Sequence, residues 1–186
     1  FHVNGLGVRK VEPRNTPTVI NSVFNFRNFW DGRANNVFNG VDPFGRRNQN
    51  AMVIGKNGLP LRVDLRNSSL ASQAVGPPLS DFEMSCTQRT FADVGRKMIK
   101  RRALALQTVH AQDSILKLER AANGLGLKRT YRELIEGAFK EDFWKNSGSF
   151  NGYTQMESNF SLFFGLSLQL YQSTLISNQA PYDLFA

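Results

Sequence analysis

Asn15-Thr-Pro-Thr-Val-Ile-Asn-Ser-Val-Phe-Asn-Phe-Arg-Asn-Phe-Trp-Asp-Gly-Arg-Ala34 is the stretch from which the rest of the chain is read. Asn15 or Thr16 suits a helix N-cap, and Pro17 suits the first helical position, where its missing N–H costs nothing. Val19, Ile20, Val23, Phe24 and Phe26 recur near helical period and predict an apolar face. Phe29-Trp30-Asp31-Gly32-Arg33 then ends the helix in an aromatic, charged turn, with Gly32 free to take φ > 0. On pattern alone this is a short buried helix followed by a turn whose Asp and Arg pair.

The composition around that stretch bounds the possibilities. With 186 residues, 41% hydrophobic and fifteen of them Phe, the chain can bury one real core. No run of 18 apolar residues exists, so no membrane-spanning helix is expected. No signal-peptide pattern is present, and a first residue of Phe rather than Met suggests a processed chain, an internal piece or a sequence that starts where order starts. The formal net charge of +8 favours acidic partners, nucleic acid or anionic surfaces. Its basic cluster, Arg96-Lys97-Met98-Ile99-Lys100-Arg101-Arg102, lacks the interleaved aromatics of a single-strand platform. It reads as a solvated helix face, and a nucleic-acid partner is not expected. Cys86 stands alone, which excludes an internal disulfide, a multi-cysteine metal site and the Cys-x-x-Cys-His pattern that attaches haem c. With only His2 and His110, a multi-histidine centre within this chain is not expected either.

Residues 1–14 are glycine-rich and read as loop. Residues 35–66 change character: an Asn/Gly-rich loop leads to a β-hairpin turning at Asn57-Gly58, with Ala51–Ile54 and Leu59–Leu65 as its arms. In Asn67–Cys86, Glu83 reads as a helix-start acid, Met84 as core filler and Cys86 as a small buried hydrophobe. Three capping boxes follow. Thr90-x-x-Asp93 opens a helix to about Arg102, Thr130-x-x-Glu133 one through Phe139, and Thr154-x-x-Glu157 the longest, from Gln155 to Ser177. Little polar face remains on that last helix, which predicts a buried central one. Asp113 or Ser114 caps a short helix from Ile115 to Arg120. His110 suits either a haem ligand or a satisfied polar residue near a helix start.

Four motifs together resemble the bacterial di-haem cytochrome c peroxidase family: Asn15-Thr-Pro-Thr with Phe29-Trp-Asp-Gly-Arg33; Gln73…Pro77…Glu83-Met84 with its ten-residue step; Tyr131-x-x-Leu134…Ala138-Phe139; and Thr174-Leu175 with Pro181-Tyr182-Asp183. They occur in family order and lie between the places of the family's two haem-attachment motifs, neither of which is in this chain. The resemblance implies a mainly α, cytochrome c-like helical fold with a small β-hairpin insertion. It implies one such domain over 1–186, with 35–66 inserted, as part of a longer polypeptide.

The resemblance also implies site residues and ligands. Gln73 and Glu83 would face peroxide on the distal side of the haem, with Glu83 as acid–base for O–O cleavage, work that suits a buried carboxylate of raised pKa. Trp30 would lie on the electron path, where a large, rigid indole suits. Pro77 and Met84 would border the cofactor. His2 would be a switchable haem-iron ligand, though 13 residues before Asn15 is a longer gap than the family pattern. Asn15 would give an oxygen to calcium, and serves equally as a plain helix cap.

Two functions from different classes follow. The first is a periplasmic or extracellular peroxidase-like oxidoreductase using haem c, taking electrons from a small cytochrome or cupredoxin. The second is a non-catalytic structural or electron-transfer module, assembled with the remainder of its polypeptide or with other haem-bearing chains.

Overall fold

The computed structural model describes residues 2–4, 6–7 and 15–185, with backbone alone for 2–3 and 6–7. Its order is β1 (His2–Val3), β2 (Leu6–Gly7), β3 (Val53–Ile54), β4 (Pro60–Leu61), α1 (Ser69–Ala74), α2 (Phe91–Met98), α3 (Tyr131–Ala138), α4 (Gln155–Ser158), α5 (Phe160–Gln172) and α6 (Pro181–Phe185). The fold is mainly helical, as expected, though the helices are short and turns carry much of the chain. None is long and apolar enough to cross a membrane among the described residues. The chain divides into two compact units: Phe1–Met52, Arg62–Arg89 and Phe164–Ala186 form the first, and Val53–Leu61 with Thr90–Phe163 the second.

In the first unit, β1 pairs antiparallel with β2 where only a loop was expected. Gly5, Pro13 and the His2 side chain lie outside the described residues. The helix expected from Asn15 does not form. Residues 15–19 have no regular structure, and only a single 3-10 turn, Ser22–Phe24, follows. Asn21 explains this. It sits in the left-handed region at φ 61°, which no helix tolerates, and its groups bond elsewhere. Its N–H donates to Leu175 O at 2.9 Å, its Nδ2 to Ser177 O, and its Oδ1 accepts from Ser177 N. Val19, Ile20, Phe24 and Phe26 are accordingly exposed rather than buried.

The core of this unit is Ala34, Phe38, Leu70, Ala71 and Val75. Phe38 exchanges both backbone bonds with Leu65. Gln169 of α5 reaches α1, accepting from Ala71 N at 3.0 Å and donating to Ser68 Oγ.

In the second unit, β3 and β4 pair as Val53↔Leu61 and Ile54↔Pro60, so the expected hairpin is present. Asn57 and Gly58 both take positive φ at its turn, the conformation that an Asn-Gly pair favours. All three capping boxes form, each Thr hydroxyl accepting from the third backbone N–H and each acid bonding back. Helix α2 stops at Met98, short of Arg102. The longest helix breaks at Asn159, whose side chain is drawn off the helix: Oδ1 accepts from Ile54 N, and Nδ2 donates to Ile54 O and Phe143 O. Gln155 is likewise fully buried, donating from Nε2 to Ile54 O, Gly55 O and Asp142 O. The buried apolar side chains of this unit include Val53, Phe91, Ile99, Ile135, Met156 and Phe160, and the Phe139 and Phe163 rings lie 4.7 Å apart. The predicted central helix is thus buried only in its first half; beyond Phe163, Leu170 and Tyr171 are exposed. The helix expected over Ile115–Arg120 is a 3-10 turn, Leu116–Leu118, with Ile115 at its N-cap; Asp113 Oδ1, two residues earlier, accepts from the Ile115 and Leu116 N–H groups.

Candidate functional site

The Phe29–Arg33 turn is built by its neighbours. Asn28 and Ala34 exchange backbone bonds across it, and Gly32 N–H closes it onto Phe29 O at 3.0 Å. Gly32 sits at φ +65°, the conformation the sequence assigned to it. Phe29 takes φ 64° as well, a strained choice for an aromatic, which turns the chain so that Trp30 points outward. Buried Asn28 anchors the turn to α1: its Nδ2 donates to Ser69 Oγ at 2.9 Å, and Ser69 Oγ donates to Asn25 O at 2.7 Å. The Asp31 carboxylate accepts from the Arg33 N–H and guanidinium, the pairing that pattern predicted. Burial pushes the Asp31 carboxyl upward, but those Arg33 contacts outweigh it and hold it below the ordinary value. The Arg33 guanidinium also lies 3.9 Å over the Phe29 ring.

Beside this turn is a cleft of about 660 Å³. Asn15, Trp30, Gln73, Pro77, Glu83 and Met84 all line it. These are six of the seven site residues singled out from the sequence; the side chain of the seventh, His2, lies outside the described residues. Gln73 comes from the end of α1, and Pro77 from the 3-10 turn that follows. Glu83 and Met84 stand in turns closed by Glu83 N–H and Ser85 N–H onto Ser80 O. No helix starts at Glu83; the next begins at Phe91. Glu83 is half-buried, whereas Met84 is exposed and is not core filler. Cys86 is exposed too, not the buried hydrophobe expected, because the 80–88 segment runs along the surface as turns. Trp30 is 82% exposed.

Sequence reasoning missed Arg27 and Arg33 as lining residues, together with Asn25, Asn28 and Phe29. Their signal was their place in the same motif: a tight turn presents its flanks to one side.

The lining can be set against haem c, which presents a flat, mostly apolar ring and two carboxylates. Pro17, Phe29, Trp30, Pro77 and Met84 offer apolar surface, and Arg27 and Arg33 offer cations suited to carboxylates. The residues present fit the ring and its acid groups. Among the described residues they supply no histidine, and one exposed thiol cannot make paired thioethers. His110, in the second unit, is an exposed turn residue whose Nδ1 accepts from Gln112 N–H at 3.1 Å. For calcium, Asn15 offers one amide oxygen where the ion takes six to eight oxygens, about that number in any site. No cluster of three His, Cys, Asp or Glu side chains stands with it among the described residues.

No curated protein and no solved structure matches this chain. The model of the di-haem cytochrome c peroxidase family matches it over residues 2–186. Spanning nearly its whole length, that match establishes that the chain belongs to the di-haem cytochrome c peroxidase family, whose members are peroxidase-type haem oxidoreductases.

Proposed function

We propose that the protein reduces hydrogen peroxide to water with electrons from a small cytochrome or cupredoxin, and that the cleft beside Trp30 is where peroxide is worked. The observation that carries this reading is convergence. Six residues chosen from two separate stretches of sequence line one cleft. A haem bound there supplies the redox centre at which peroxide takes up two electrons.

The chain's own groups do the rest. Gln73 Nε2 donates to peroxide and orients it. The Glu83 carboxylate takes the proton from one peroxide oxygen and returns it to the other, so that the departing oxygen leaves as water. Two protons and two electrons per peroxide give two waters. Trp30, mostly exposed, offers its indole as the step between the cleft and an electron source. Pro77 and Met84 border the cofactor, and Arg27 and Arg33 hold its carboxylates.

The same reading makes His2 a switchable iron ligand and Asn15 one of several calcium ligands, with the other donors supplied elsewhere. It makes residues 1–186 part of a longer polypeptide that carries the attachment motifs, in the periplasm or outside the cell.

A second reading keeps the haem and drops the turnover: a structural or electron-transfer module. Trp30, 82% exposed beside the cleft, suits electron passage with or without turnover. One experiment separates the two. In the full-length, haem-loaded protein, Glu83→Gln lowers peroxide turnover by about 10²–10⁴-fold with an unchanged haem spectrum. Peroxide reduction unaffected by that change, or undetectable in the parent, overturns the peroxidase reading.

A further inference from the structure

The whole net charge of the chain lies in one stretch. Residues 96–132 hold ten Lys and Arg against two acids, Asp113 and Glu119, while the remainder balances thirteen against thirteen. Three of the ten have carboxylate partners: Arg96 with Glu157, Arg129 with Glu119, and Arg132 with Glu136. Among the described residues the other seven have none.

The same stretch carries its own apolar projections. Leu106 is 96% exposed, Ile115 78% and Leu118 77%, and Leu125 is exposed as well. These are not frayed ends. Backbone bridges join Arg102 with Thr130, Thr108 with Leu125 and Arg120 with Leu127, over a core of Ala103, Val109 and Leu127. Cations sit directly beside the projections. The Arg102 guanidinium donates to Leu125 O at 3.0 Å, and the Lys128 ammonium to Leu118 O at 3.0 Å. Leu106 stands in the turn that Gln107 N–H closes onto Leu104 O, and Gly126 N–H bonds Gln107 O, which brings that turn against Leu125.

We propose that this part of the second unit docks on an anionic phospholipid surface. Leu106, Ile115 and Leu118 enter the boundary between headgroups and acyl chains, and the unpaired Lys and Arg side chains meet lipid phosphates. Charge complementarity selects an anionic surface. The nature of the projections selects lipid over an acidic protein: protein interfaces are centred on aromatic anchors in pockets. Here every large exposed apolar side chain is a separate aliphatic tip, with no aromatic among them.

Co-sedimentation of the full-length protein with vesicles tests this. Equimolar phosphatidylcholine–phosphatidylglycerol vesicles bind it at low salt, and pure phosphatidylcholine vesicles do not. Leu106→Ser weakens binding about tenfold, the loss expected for one leucine no longer leaving water. Lys117→Glu and Lys100→Glu each weaken it by about fivefold or more. All three positions are exposed, and unchanged circular dichroism confirms that the variants fold. Binding that Leu106→Ser leaves untouched is charge attraction alone and overturns the proposal. So does failure to bind the anionic vesicles while immobilised poly-glutamate retains the protein, which assigns the surface to an acidic protein instead.

Discussion

The Tyr153 hydroxyl donates to Asp93 Oδ1 at 2.6 Å, tying the loop before α4 to the first turn of α2. The other Asp93 oxygen is occupied by its capping box, accepting from the Thr90 N–H and hydroxyl. The Arg96 guanidinium lies 4.0 Å over the Tyr153 ring and pairs with Glu157. One cluster therefore joins two helix starts of the second unit.

That cluster sets an acid limit. The Tyr153 hydroxyl first, then the Thr90 groups, pull the Asp93 carboxyl from 3.8 to about 2. A carboxyl depressed in the folded state stabilises it fully above the unfolded value and loses that contribution as pH falls through the folded one. The Asp93 contribution is therefore fully present above 3.8 and is lost as the pH falls from there to about 2. Tyr153→Phe removes the largest cause, and acid unfolding followed by circular dichroism then begins at a higher pH. An unchanged acid midpoint refutes the assignment.

Gly95→Ala is expected to destabilise although it lies within α2. Alanine ordinarily gains about 0.5–1 kcal/mol over glycine in a helix. At Gly95, however, an added Cβ meets Phe160 Cβ at 2.7 Å and Glu157 O at 3.0 Å. Overpacking of that kind costs about 1–3 kcal/mol and wins. Urea denaturation reads the sign directly.

Ser72→Ala points the other way. Ser72 is fully buried, and among the described residues its hydroxyl has no partner. Removing a buried, unsatisfied hydroxyl recovers about 1 kcal/mol. A higher melting temperature confirms it, and a lower one reveals a bond to a group outside the described residues.

Trp30 and Asn28 separate function from framework within one turn. Trp30→Phe changes stability by no more than about 0.5 kcal/mol, as exposed positions do. It lowers the rate of electron delivery during peroxide turnover. Asn28→Ala removes the bonds that Asn28 donates to Ser69 Oγ and accepts from Asn25 Nδ2, and costs about 1–3 kcal/mol. Differential scanning calorimetry and steady-state turnover on the same two variants distinguish the roles; equal thermal effects refute them.

Local chemistry was legible in the sequence. The capping boxes at Thr90, Thr130 and Thr154, the Asn57-Gly58 hairpin turn and the left-handed Gly32 each depend on residues within four positions of one another, so the sequence alone determined them. The family motifs also picked out six residues that the fold brings to one cleft.

What only the tertiary structure decided depends on partners far along the chain. Asn21 leaves helical geometry because Leu175 and Ser177 offer it bonds, and Asn159 breaks the longest helix because Ile54 and Phe143 do. Periodicity cannot register a side chain drawn to a carbonyl a hundred residues away. The cleft is of the same kind. Asn28 joins the Trp30 turn to α1, and that anchoring, not any feature of either stretch alone, brings the indole, Gln73 and Glu83 to one cavity.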